Sequence, residues 1–169
     1  MKERNFSFKL LAFYSAFAAI TIIFLVVFGM RIFKVTTFND LDDVKKANLM
    51  INGQVTTKKE ETYYVYIYSS KAHDTNYAYQ EVEPTIFTYF TYVNKNPNKA
   101  TKIYAYDVDT FTPMNSYNNV NEYLQSLSTS LKTSELPALI KVSSGNVNNT
   151  FTTINKINSE LQSVMTSDK

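Results

Sequence analysis

The sequence predicts an α/β domain, a mixed sheet flanked by helices, preceded by one N-terminal transmembrane helix. Three observations predict it. An uncharged apolar run fills Leu10 to Met30. Segments rich in β-branched and aromatic residues alternate with stretches whose apolar residues recur at helical spacing. The last third of the chain carries a Leu-Pro step, a short apolar strand and a Ser-Gly-Asn turn.

The N-terminal run is 21 residues long, enough for a helix to cross a hydrocarbon core of about 30 Å. A helix apolar on every face is costly in a soluble core, so a membrane span is the better reading. The run leaves through Phe28-Gly29-Met30-Arg31, with no small-x-small cleavage signal and no cysteine for lipid attachment. An uncleaved signal anchor over 10–30 is therefore expected. Lys2, Arg4 and Lys9 precede it and Arg31 and Lys34 follow, so the positive-inside rule votes weakly for a cytoplasmic tail 1–9. The expected location is the cell membrane, single-pass, with an extracytoplasmic C-terminal domain.

After Arg31, 13 lysines face 14 acidic residues, and the two signs are interspersed. No basic footprint for nucleic acid is present. The bias of 15 lysines to 2 arginines is what a low-GC bacterial genome produces. Glycine occurs three times. Neither a phosphate loop nor a Gly-x-Ser-x-Gly elbow can be built, and no cofactor is expected. There is no cysteine. A region of about 135 residues buries a core without disulfides.

Residues 31–61 read as a linker passing into a short helix. Asn39 is its expected N-cap, Asp40, Asp42 and Asp43 lie in the first turn, and Leu41, Val44 and Met50 face inward. Gln54 to Glu61 is a polar loop. The globular domain then runs over 62–169. Thr62 to Ser69 lacks alternation, the mark of a strand buried on both faces. After a polar loop over Ser70 to Thr75, Tyr77 to Asn94 is a helix with Val82, Ile86, Tyr89, Phe90 and Val93 on one stripe and Pro84 in its early turns. Ile103 to Val108 is a second strand. Asn118 to Lys132 is a helix carrying Val120, Tyr123, Leu124, Leu127 and Leu131. Leu139 to Val142 and Val147 to Thr152 form a hairpin across Ser144-Gly145-Asn146. Asn155 to Met165 closes the chain as a helix. Strands separated by helices pair in parallel, and the hairpin adds an antiparallel edge.

Three segments carry a family resemblance. They are Val65-Tyr66-Ile67-Tyr68-Ser69, Glu81-Val82-Glu83-Pro84-Thr85-Ile86, and Leu136-Pro137-Ala138-Leu139-Ile140-Lys141-Val142 followed by Ser144-Gly145-Asn146. Over its last two thirds the chain resembles the thioredoxin-like family, as a membrane-anchored member lacking the Cys-x-x-Cys motif. The resemblance implies a cis bond before Pro137. It places either Asn76-Tyr77-Ala78-Tyr79 or Ala72-His73-Asp74-Thr75 where the two thiols belong. Neither register offers a thiolate, so dithiol chemistry, and with it enzyme activity, is not expected.

The resemblance further implies a groove for an extended peptide, held by strand addition, at Asn76, Tyr77, Tyr79, Leu136 and Pro137. The expected function is a redox-inactive protein or peptide binding module. The alternative is an adaptor that docks onto a thiol-disulfide oxidoreductase system or its substrates. His73 beside Asp74 invites a catalytic or metal reading. No second His or Cys supports a metal, and a solvated loop is expected there.

Overall fold

The computed structural model describes residues 8–32, 35–51, 55, 62–111 and 117–167. The basic tail before residue 8 and, Val55 apart, the loop expected over 54–61 lie outside the described residues. The chain divides into two units, residues 1–34 and 35–169.

The first unit is a single helix, α1, Phe8–Ile32. Its stretch Leu10–Met30 is a candidate membrane span, the one helix long and apolar enough among the described residues. Ser15 and Thr21 donate their hydroxyls back to the carbonyls of Ala12 and Phe17, both at 2.9 Å. The candidate span therefore carries its serine and threonine hydroxyls already paired, as a hydrocarbon environment would require.

In the second unit a four-stranded sheet has the order β2-β1-β3-β4. Strand β1 is Thr62–Tyr68, β2 Lys102–Asp107, β3 Ala138–Ser143 and β4 Asn146–Phe151. β1 pairs parallel with β2 and antiparallel with β3, and β3 pairs antiparallel with β4. The parallel pair needs a crossover, and helix α3, Tyr77–Lys95, supplies it. Around the sheet lie α2 (Asp43–Leu49), α4 (Val108–Phe111), α5 (Val120–Leu127) and α6 (Ile154–Ser167). This is the thioredoxin-like arrangement, with Leu136-Pro137 cis immediately before β3.

β1 is central and buried on both faces, which is why its sequence does not alternate. Tyr64, Tyr66 and Tyr68 share the face covered by α3 and α6, where Tyr64 meets the Tyr89 ring and Glu160. Ile67 pairs with Tyr106 on the other face, where Tyr106 packs on Tyr123 of α5. Buried tyrosines need partners for their hydroxyls, and several reach backbone: Tyr63 donates to Val55, Tyr89 to Thr101 and Tyr106 to Phe111. The hairpin loop Ser144-Gly145 has φ of 50° and 79°, the left-handed pair that a two-residue turn between twisted strands demands.

Three expectations change. The helix expected over 118–132 ends at Leu127, where the weak helix formers Ser128-Thr129-Ser130 follow, although Leu131 is still buried. Asp42, not Asn39, caps α2, its side chain accepting from the Lys45 N–H at 2.9 Å. Val44 points outward at 73% exposed, while Leu41 is buried as expected and Phe38, Leu49 and Ile51 join it in the core. The Ile51 N–H reaches the Ala105 carbonyl at 3.1 Å, so this segment lies along the free edge of β2.

Candidate functional site

The junction between the end of β1 and the start of α3 is the position at which the sequence resemblance placed the two thiols. Its loop is tied down by two acids at and just beyond the end of β2. Ser69 donates its hydroxyl to Asp109 at 2.6 Å, the Ser70 N–H reaches Asp107 at 3.2 Å, and the Lys71 N–H reaches Asp109 at 3.0 Å. Burial pushes the Asp109 carboxyl up, but these donors and the Lys71 charge outweigh it and hold the group below its ordinary value. Tyr79 accepts from the Ser69 N–H at 3.1 Å and braces the loop from below. Burial pushes the Tyr79 hydroxyl up to about 12, so it stays neutral.

Asn76 caps α3. Its side-chain oxygen accepts from the Ala78 N–H at 3.0 Å, and its amide donates to the Leu136 carbonyl at 3.0 Å, joining the helix start to the Leu-Pro step. The Leu136 N–H meanwhile donates to the Thr133 carbonyl at 3.3 Å. Both backbone groups of Leu136 are thus engaged within the chain, and a peptide adding there as a strand has to displace them.

Of the groove residues expected from the sequence, the structure brings Asn76 and Leu136 into contact and leaves Tyr77 at the surface, 66% exposed. Tyr79, Leu136 and Pro137 are buried, so they form the floor under the edge and not its contact surface. The physical reason for Tyr79 is its place on the inward stripe of α3, three residues before Val82.

His73 is not in a solvated loop. It is 5% exposed and sits between two carboxylates: Nδ1 is 3.2 Å from Asp74 Oδ1 and Nε2 is 3.0 Å from Glu83 Oε2. Glu83 is fully buried and also accepts from the Phe38 N–H at 3.1 Å and the Tyr66 hydroxyl at 3.3 Å. Asn39 completes the cluster, its amide 3.4 Å from both His73 Nδ1 and Asp74 Oδ1. Burial would lower the His73 pKa, but Glu83 and Asp74 overcome it and hold it above its ordinary value. Burial also raises Glu83, against the pull of His73, Phe38 and Tyr66. The carboxylates address opposite ring nitrogens, so the three groups do not converge on one ion, and among the described residues no group of His, Asp and Glu is placed to hold a metal.

From the sequence, Glu81 and Glu83 are set aside as partners of His73 because residues two apart on a helix do not face together; the structure turns Glu83 alone inward to meet it. The signal for Glu83 was an acid on the inward stripe, four residues after Tyr79 and three before Ile86, in a chain whose single histidine lies ten residues upstream. An acid placed there must find a partner.

Fold and junction together define a thioredoxin-like domain with a bonded loop where a reactive pair would stand, and no thiol in the chain. Dithiol exchange is left without its reacting groups. No protein-family model matches the chain, and no curated protein matches it. Among solved structures it is similar to a single-residue mutant of thioredoxin from Halobacterium salinarum NRC-1, with 13% identity and a TM-score of 0.44 over 72% of this chain and 90% of that one. It is also similar to thioredoxin from Fasciola hepatica, with 15% identity and a TM-score of 0.39 over 80% of this chain and 97% of that one. The fold itself rests on the strand order and connections given above.

Proposed function

We propose that the chain is a membrane-anchored, redox-inactive thioredoxin-like domain that works outside the cytoplasm as a protein or peptide binding module, through the edge formed by Asn76 and Tyr77 over Leu136, Pro137 and Tyr79. The observation that supports it most is Tyr77. Outside α1, it is the one large aromatic among the described residues that is strongly exposed, and it stands at the first position of α3, on the edge where the family resemblance puts a peptide groove. Tyrosine offers large contact area at low entropic cost. Because the Leu136 backbone is engaged, the edge works through side chains and not through strand addition.

The test is photocrosslinking from Tyr77 in intact membranes, with a second probe at exposed Val44 on α2. Capture of one discrete protein from position 77 and not from 44 is the expected result. No capture from 77, or the same set from both, overturns the reading. A captured partner carrying a reactive cysteine pair would turn it toward the adaptor alternative. The absence of cysteine makes orientation simple to read: a Val44→Cys variant should react with a membrane-impermeant maleimide on intact cells.

A further inference from the structure

We propose that His73 and Glu83 form a proton-operated latch on residues 36–41, the strap that leads from the N-terminal unit into the core. The strap has its own turn, since Asp40 Oδ2 accepts from the N–H groups of Thr36 and Thr37 at 3.3 and 3.1 Å. Its polar ties to the rest of the domain run through the cluster at the start of α3. The Phe38 N–H is held by Glu83 and the Asn39 amide by the Asp74 carboxylate. The Phe38 ring packs against Tyr66, Tyr68 and Phe87, with centroids 5.6, 4.8 and 5.1 Å away, so the strap is seated only when that N–H can be buried with an acceptor.

Both ring nitrogens of His73 face carboxylate oxygens, which calls for a proton on each and a positive ring. The charge of the imidazolium offsets a Glu83 carboxylate that has no access to water. When the ring loses a proton, one N–H remains for Glu83, and Nδ1 becomes an acceptor. Nδ1 then repels Asp74 and competes for the Asn39 amide, while Glu83 loses its counter-charge. The groups facing the ring from each packed element are Asp74 on its own loop, Glu83 and Tyr79 on α3, Tyr66 on β1 and the neutral Asn39 on the strap. Burial pushes the Tyr66 and Tyr79 hydroxyls up, so neither titrates in the range where His73 does.

The sign follows. A histidine raised above its unfolded value holds its proton more tightly in the folded state, so its contribution is fully present below the unfolded value of about 6.5 and is lost as pH rises through the folded one. The strap is closed in mild acid and loosens toward alkaline pH. This operates whether or not a partner docks at Tyr77.

The experiment uses the full chain in lipid nanodiscs. The histidine carries a carbon-13 label, which reports a single site, and hydrogen exchange is followed by mass spectrometry on peptides covering 36–41. His73 should titrate above about 6.5, and protection of 36–41, corrected for intrinsic exchange, should fall severalfold across that same interval. Peptides from β3 should not follow it. His73→Gln should remove the pH dependence. Should that variant fail to fold, Glu83→Gln should move the His73 midpoint back toward its ordinary value. Protection of 36–41 that ignores the His73 titration, or a His73 midpoint at or below about 6.5 in the unsubstituted chain, overturns the latch.

Discussion

Tyr64 and Tyr66 leave the same face of β1 two residues apart, and each donates its hydroxyl to a glutamate on a covering helix. Tyr64 reaches Glu160 of α6 at 2.5 Å, and Tyr66 reaches Glu83 of α3 at 3.3 Å. The two sites differ in water. Glu160 is 22% exposed and shares Lys141, itself 32% exposed, at 3.3 Å, with the ammonium 5.3 Å from the Tyr64 ring centroid. Glu83 is sealed and depends on His73, Phe38 and Tyr66 for every bond described above. The lesson is that the shorter bond is the less consequential one. Where water can replace a lost partner, deletion costs little; where it cannot, the orphaned group bears the full desolvation penalty.

The largest expected effect is that of Glu83→Ala. It leaves His73 with a buried, unpaired nitrogen, and the Phe38 N–H and Tyr66 hydroxyl without an acceptor. A loss of about 3–5 kcal/mol is expected, the range for breaking a buried ion pair by removing one partner. Glu160→Ala removes the same kind of bond in the wet site and should cost less than about 1 kcal/mol. Denaturation midpoints of the two full-length variants in the same detergent measure the contrast. Equal losses would break it, because burial would then not be what separates the sites.

A titration of stability against pH sharpens the same contrast and has a smaller effect, since both partners stay in place. Against its burial, His73 is raised chiefly by Glu83, so stability is expected to fall as pH climbs through the His73 range, and Glu83→Gln should flatten that limb. Asp109 is lowered, and its contribution is lost only at the acid end, as pH falls below the ordinary carboxylate value. A limb that survives Glu83→Gln unchanged would assign it to another group. Smaller again is Tyr79→Phe, which strips the acceptor from the buried Ser69 N–H and should cost about 1–2 kcal/mol in the same denaturation assay.

The wet and dry sites also mark where the sequence could be read. β1, β3 and the hairpin were legible because their requirements are local: Tyr63 to Tyr68 must be apolar on both faces, and Ser144-Gly145 must adopt positive φ. The N-terminal apolar helix was legible from length and charge alone. The dry cluster was not, because it is assembled from Asn39, His73 and Glu83, three elements whose approach no local pattern announces. The burial of Phe38 beside Tyr66 and Phe87 is the same kind of fact, and it turns a segment that reads as a linker into part of the core. At the candidate edge the resemblance named Asn76 and Tyr79 together. Helical spacing separates them into a surface cap and a buried brace.

Tyr77 completes the series at the small end, and there a small effect is the informative one. Its hydroxyl donates to Glu81 one turn further on at 2.5 Å, and the ring lies over the surface. Tyr77→Ala gives up one exposed helical pair and should change stability by no more than about 0.5 kcal/mol. If the edge is a binding site, the same substitution should abolish crosslinking from a probe placed at neighbouring Gln80, which is itself exposed. Retained capture with unchanged stability would mean that Tyr77 serves neither the fold nor a partner. A stability loss comparable to that of Glu83→Ala would place Tyr77 among the structural groups and end its use as evidence for a partner edge.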